Sequence, residues 1–78
     1  MQSYKYTRKL TKSLEDVIDL SIEVLENTYC SKKDLDNIVD LILEVVQGIR
    51  PRFKYVCEDN SIIVVYRKNK ELGIEIYS

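Results

Sequence analysis

The sequence predicts an α+β domain: an antiparallel helix hairpin packed on a three-stranded antiparallel β-meander, with a fourth strand available from the N-terminal segment. Three observations carry this. Apolar residues recur with a helical period between Leu14 and Ile49. After Pro51 the period changes to two, as Phe53, Tyr55 and Cys57 alternate with Arg52, Lys54 and Val56. Turn-forming residues at 58–61 and 68–71 then divide what remains into strands.

Residues 1–78 read as one domain in three parts. Segment 1–12 is basic, with Lys5, Arg8, Lys9 and Lys12 and no acid. Within it Tyr4 and Tyr6 alternate with Lys5, which suits a short strand or a segment laid across the sheet. Residues 13–49 form the helix hairpin. Ser13 precedes Asp16 by three residues and Ser31 precedes Asp34 by three, the spacing of a capping box with Asp in place of Glu. Both acids fall in a first turn, where the helix dipole favours them. Leu14, Val17, Ile18, Leu25 and Tyr29 are expected to form the inward face of the first helix, with Ile22 and Val24 at its margins. Leu35, Ile38, Val39, Ile42, Val46 and Ile49 do the same for the second. Asn27 and Gly48 stand where helices take a left-handed cap, and Pro51 forbids continuation. The short link makes the helices antiparallel neighbours. Segments 14–28 and 35–49 also align at an offset of 21, with Leu14/Leu35, Asp19/Asp40, Leu20/Leu41, Glu23/Glu44 and Val24/Val45 identical. Two amphipathic helices of one composition align this way with or without a duplication.

Residues 50–78 form the meander. The helices are expected to cover Phe53, Tyr55 and Cys57 on its first strand and Leu72, Ile74 and Ile76 on its third. The middle strand breaks the alternation: Ile62, Ile63, Val64, Val65 and Tyr66 are apolar on both faces. One face goes to the helices. The other calls for cover from a second copy in a homodimer, from the N-terminal segment, or from another macromolecule. Val56, Ile63, Val64, Val65 and Tyr77 are the candidate interface residues, and the pattern leaves open whether Val64 or Val65 points outward.

Composition narrows the function classes. A domain of 78 residues buries only roughly 60% of the surface that its unfolded chain exposes, and association is one remedy for a core this small. No apolar run approaches the roughly 18 residues of a membrane span. The start MQSYKYTRKLTK has no apolar run after its charges, so it is not read as a signal peptide, and the chain reads as intracellular and cytoplasmic. A net charge of −1 argues against a general polyanion binder, but the charges are segregated: residues 14–49 carry nine acids against Lys32 and Lys33, and residues 50–78 carry six bases against four acids. Cys30 and Cys57, with no histidine in the chain, make no zinc motif and imply no metal. They read as small buried apolar residues in a reducing compartment, with a disulfide as the alternative. The acids Glu15, Asp19, Glu23 and Glu26, and Asp36, Asp40 and Glu44, line the outer helix faces as solvated charge. The absence of alanine beside abundant Ile, Lys, Tyr and Asn fits an AT-rich genome, such as those of many viruses and of some archaea and bacteria, and the expected source is a virus or mobile element.

No nucleophile setting or glycine-rich loop is present, so the expected function is non-enzymatic, without cofactor: a regulatory or adaptor protein that binds another macromolecule. The alternative is nucleic-acid binding. Arg50, Arg52 and Lys54 alternate beside Tyr55, and Arg67, Lys68 and Lys70 crowd the next turn, a mixture of charge and rings that suits single-stranded RNA. A structural subunit of a larger assembly is the third reading. The order of a short strand, two helices and a basic three-stranded meander with a late tyrosine resembles the RelE/ParE toxin superfamily. The stretch RFKYVCEDNSIIVVYR is similar to that family's central hairpin, over the last third of the chain. The resemblance implies ribosome-dependent mRNA cleavage, with Arg52, Lys54, Arg67 and Tyr77 in its service.

Overall fold

A computed structural model describes residues 2–78. Its elements follow in the order β1 (Ser3–Lys9), α1 (Leu14–Asn27), α2 (Lys32–Gln47), β2 (Arg52–Val56), β3 (Ile62–Lys68) and β4 (Glu71–Tyr77). All strand pairings are antiparallel, in the sheet order β1-β4-β3-β2. The helices pack on one face of this sheet, which makes a two-layer α+β domain. The basic N-terminal segment supplies the fourth strand. It extends the sheet along the edge of β4, from Ser3 opposite Tyr77 to Lys9 opposite Glu71, and leaves the second face uncovered.

Local chemistry sets the boundaries. Ser31 caps α2 by accepting a hydrogen bond from the Asp34 amide at 3.1 Å. At the other end Gly48 adopts a left-handed conformation, φ 82°, and its N–H reaches the carbonyls of the last turn. The α1 end differs from expectation. Asn27 stays helical and the chain leaves through an extended Thr28. The two β-turns place Asn60 and Asn69 at positive φ, a conformation that asparagine tolerates better than most residues.

The core joins Val17, Leu20 and Val24 of α1 to Ile38, Ile42, Val45 and Val46 of α2. Beneath them lie Phe53, Ile63, Val65, Leu72, Ile74 and Ile76 of the sheet. This settles the parity of β3: Ile63 and Val65 face the helices and Ile62, Val64 and Tyr66 face away. It also corrects the expected inward face of the first helix. Leu14, Ile18, Leu25 and Tyr29 point outward with Ile22, and Ile49 beyond α2 is exposed as well. The helix carries two apolar stripes, and polar partners decide between them. Tyr6 donates to Asp19 at 2.6 Å and Tyr4 donates to Glu23, so these acids must lie over β1. That rotation delivers Val17, Leu20 and Val24 to the sheet.

Cys30, in the link between the helices, is bridged to Cys57 at the end of β2, with Cα atoms 5.5 Å apart. The free-cysteine reading is corrected accordingly. The residues lie 27 apart in sequence, but α2 returns the chain to the same end of the sheet, so the bridge ties the helical layer to β2.

Candidate docking faces

The uncovered sheet face is built from cross-strand rows. Val56, Ile62, Tyr77 and Ser3 form one row; Lys54, Val64, Glu75 and Lys5 the next; Arg52, Tyr66, Gly73 and Thr7 the third. Side chains in register share a face, so the rows place an apolar centre between basic flanks. Lys68, Glu71 and Lys9 close the far end. Tyr66 lies over Gly73, where a Cβ would stand only 2.2 Å from the ring. The missing side chain is what lets this ring settle on the sheet. Tyr77 donates a hydrogen bond to Glu75, which pushes its hydroxyl pKa above the ordinary value. Lys5 lies 3.7 Å from the same carboxylate.

The candidate bases divide. Arg52, Lys54 and Lys68 reach the open face. Arg67 has the opposite parity: it is half-buried and donates from Nη1 to the Val46 carbonyl at 3.2 Å, neutralising the C-terminal end of α2. Arg50 pairs with Glu44 at 2.8 Å, and Lys70 sits in the β3–β4 turn. The set implied by the toxin resemblance is therefore split, with Arg52, Lys54 and Tyr77 on one face and Arg67 on the other. Of the candidate interface residues, Val56, Val64 and Tyr77 are on the open face, whereas Ile63 and Val65 are fully buried core residues. Ile62 and Tyr66 complete the patch.

A second patch lies on the opposite layer. Leu14, Ile18, Ile22 and Leu25 run along the outward side of α1, Tyr29 is exposed just beyond the helix end, and Leu43 of α2 is exposed as well. Their exposures are high for apolar residues: 67% for Leu14, 57% for Leu25 and 95% for Tyr29. The spacing of four, four and three keeps Leu14, Ile18, Ile22 and Leu25 in one line on the helix. This spacing was legible in the sequence, but its direction was not. Glu15, Glu26, Asp36 and Asp40 are exposed on the same layer, Asp36 in an ion pair with Lys32 at 3.2 Å. The solvated-charge reading holds for these four. Asp19, Glu23 and Glu44 instead serve structure, bound to β1 and to Arg50.

Two further carboxylates do structural work at the helix starts. Asp16 is fully buried. It accepts from the Thr11 amide and hydroxyl and from the Lys12 amide, and pairs with Arg8 at 3.0 Å. Burial works to raise its pKa, but these donors and the guanidinium outweigh it, and the net direction is downward. Asp34 accepts from the Glu58 amide at 2.9 Å and the Tyr55 hydroxyl at 2.8 Å, so its pKa is lowered, chiefly by that amide. At α1 the expected capping box is absent, since the Ser13 side chain makes no cap hydrogen bond, whereas at α2 Ser31 accepts from the Asp34 amide and its own backbone N–H is among the donors to the Asp34 carboxylate. Each also fastens its helix to a strand or turn.

A cleft of about 630 Å³ lies between the end of α2 and the β3–β4 turn, and Lys12, Arg50 and Arg67 line it. Both arginines are already committed to Glu44 and Val46. Among the described residues, the one group of three metal-ligating side chains is Cys30, Cys57 and Asp59, and the disulfide occupies both sulfurs. Asp59 itself accepts from the Tyr29 amide and from Ser61. Among the described residues, no helix is long and apolar enough to cross a membrane.

The fold thus defines a small two-layer α+β protein with one apolar patch on each layer. No protein-family model matches the chain, and neither a curated protein nor a solved structure does.

Proposed function

We infer that this protein is a non-catalytic adaptor that docks a protein partner on the outward face of its helix hairpin. The observation that carries the reading is the continuous stripe Leu14, Ile18, Ile22 and Leu25, exposed on a helix whose other apolar side is already buried, with Tyr29 exposed just beyond the helix end. Fully burying each such side chain is worth about 1.5–3 kcal/mol, so the stripe is a large unused source of binding free energy. The acids on the same layer favour a partner with apolar anchors and basic flanks. A displayed library of amphipathic helical peptides with either basic or acidic flanks tests this. Enrichment of apolar peptides with Lys or Arg flanks, lost in Ile18→Lys/Leu25→Lys protein, is expected. Equal retention by that variant would sink the reading.

A second reading is favoured by the open sheet face, where Tyr66 presents a ring between Arg52, Lys54 and Lys68. Bases stack on such rings while phosphates meet the charges. Titration of labelled single- and double-stranded RNA and DNA at low and moderate salt tests it. The electrostatic contribution is greatest at low salt, so absence of binding there removes the nucleic-acid reading.

A further inference from the structure

The two layers carry opposite charge. Residues 14–49, which comprise both helices, hold nine acids and two bases, whereas residues 1–13 and 50–78, which supply the whole sheet, hold ten bases and four acids. A net charge of −1 therefore conceals a bipolar molecule. Each pole has an apolar centre. On the helical pole it is the stripe of α1, on a layer that also exposes Glu15, Glu26 and Asp40, and Asp36 paired with Lys32 at 3.2 Å. On the sheet pole it is Val56, Ile62, Val64, Tyr66 and Tyr77, flanked by Arg52, Lys54, Lys68, Lys5 and Lys9.

We propose that the partner of the helical stripe is a second copy of this chain, bound through its open sheet face. The assignment rests on the docking reading of that stripe and adds the identity of the occupant. Each pole supplies what the other lacks: apolar surface faces apolar surface, and an acidic layer meets a basic one. The symmetric alternatives lack this match. Two sheets face to face would oppose ten bases, five from each copy, to only the Glu71 and Glu75 pairs. Two helical faces would oppose acid to acid. A standard interface uses about 800 Å² on each partner, roughly a sixth of this molecule's 5084 Å² surface, so both poles can be engaged at once. The contact is head-to-tail and does not close on itself after two copies. It builds a ring or an open filament.

Complementation between blocked variants tests the geometry. Ile18→Lys/Leu25→Lys blocks the helical pole, and Val64→Lys blocks the sheet pole. Lysine is used on both so that the two blocked faces repel. Val56→Lys, at a more exposed site on the same sheet face, stands in if Val64→Lys fails to fold by circular dichroism. Sedimentation velocity is run at high micromolar protein and low salt. Wild type is expected to form species beyond a dimer that shrink as salt rises. Each variant alone is expected to sediment as a single chain, and an equimolar mixture as a dimer and nothing larger. A helical-pole variant that still associates like wild type would establish sheet-to-sheet pairing and overturn the proposal. A sheet-pole variant that does so overturns it in favour of helix-to-helix pairing. A wild type that stays monomeric overturns it too. If the basic peptides still bind that monomer, the helical stripe remains a docking site for another protein.

Discussion

Asp16 and Asp34 occupy the same position in the first turn of their helices and use it for the same purpose: to hold a helix to a neighbouring strand or turn. Asp34 shows the consequence for pH. Its folded pKa lies below the unfolded value, so the unfolded chain takes up the proton first as pH falls. The stability it contributes is full above the unfolded carboxylate range, about pH 4, and is lost as pH drops through the folded pKa. Asp16 and Asp59 act in the same direction. Urea unfolding midpoints are therefore expected to be level near neutrality and to fall steeply below about pH 4. Asp34→Asn should lower the neutral plateau and flatten the acid limb; an unchanged limb would show that Asp34 is not the fastening described. Gly73 makes a separate case. Gly73→Ala is expected to keep the fold, at a cost within about 1 kcal/mol, because the atoms in the way belong to the far end of Tyr66. Its signature is movement of the Tyr66 ring resonances with the helix amides unchanged. The sequence gives no hint of this pairing, since it depends on the register of β3 against β4.

Elements show where sequence reading succeeds and where it stops. The strands after Pro51 were legible because Phe53/Tyr55/Cys57 and Leu72/Ile74/Ile76 each have polar neighbours that fix their direction. β3 offers no such neighbours, so parity had to come from the fold. Its test is a pair of substitutions. Val65→Asp buries a carboxylate in the core and is expected to cost more than about 4 kcal/mol, against a total of about 4–12 kcal/mol for a domain this size. Val64→Asp, on the open face, is expected to change stability by less than about 1 kcal/mol. Equal damage from both, measured by thermal unfolding, would contradict the assignment. α1 resists sequence reading for the related reason that both of its sides are apolar, and the deciding bonds are donated to Asp19 and Glu23 by tyrosines outside the helix. The bridge between Cys30 and Cys57 was open from spacing alone. Closing a loop of 27 residues restricts the unfolded chain by about 3.5 kcal/mol. Reduction, or Cys57→Ser, is expected to lower the urea midpoint accordingly. A shift below a tenth of the wild-type midpoint would mean that the bridge constrains little.

At the scale of the whole molecule, charge separation is the property that neither composition nor any single element displays. The sequence already holds it as an acidic middle between basic ends. The topology turns it into a spatial property by sending the middle to one layer and both ends to the other. The candidate sites follow the same division. Arg52, Lys54 and Lys68 reach the open face because their strand parity puts them there. Arg50 and Arg67 do not, because Glu44 and the end of α2 claim them. A cluster of bases in sequence is thus a poor guide to a basic face until strand parity is known.

The pairing of β1 with β4 reaches into how the protein comes to be folded. β4 is the last of the six elements to leave the ribosome, yet it lies in the interior of the sheet, between β1 and β3. Until it emerges, β1 has no strand to pair with, and the helices lack Leu72, Ile74 and Ile76 beneath them. The nascent chain must therefore carry β1 unpaired until the other five elements have been made, a state in which exposed strand edges invite wrong partners. The Cys30–Cys57 bridge needs only the residues up to 57, so an oxidising setting can fasten α2 to β2 before the sheet is complete. A released chain ending at Lys70 is expected, once oxidised, to be covalently looped but still open to proteases.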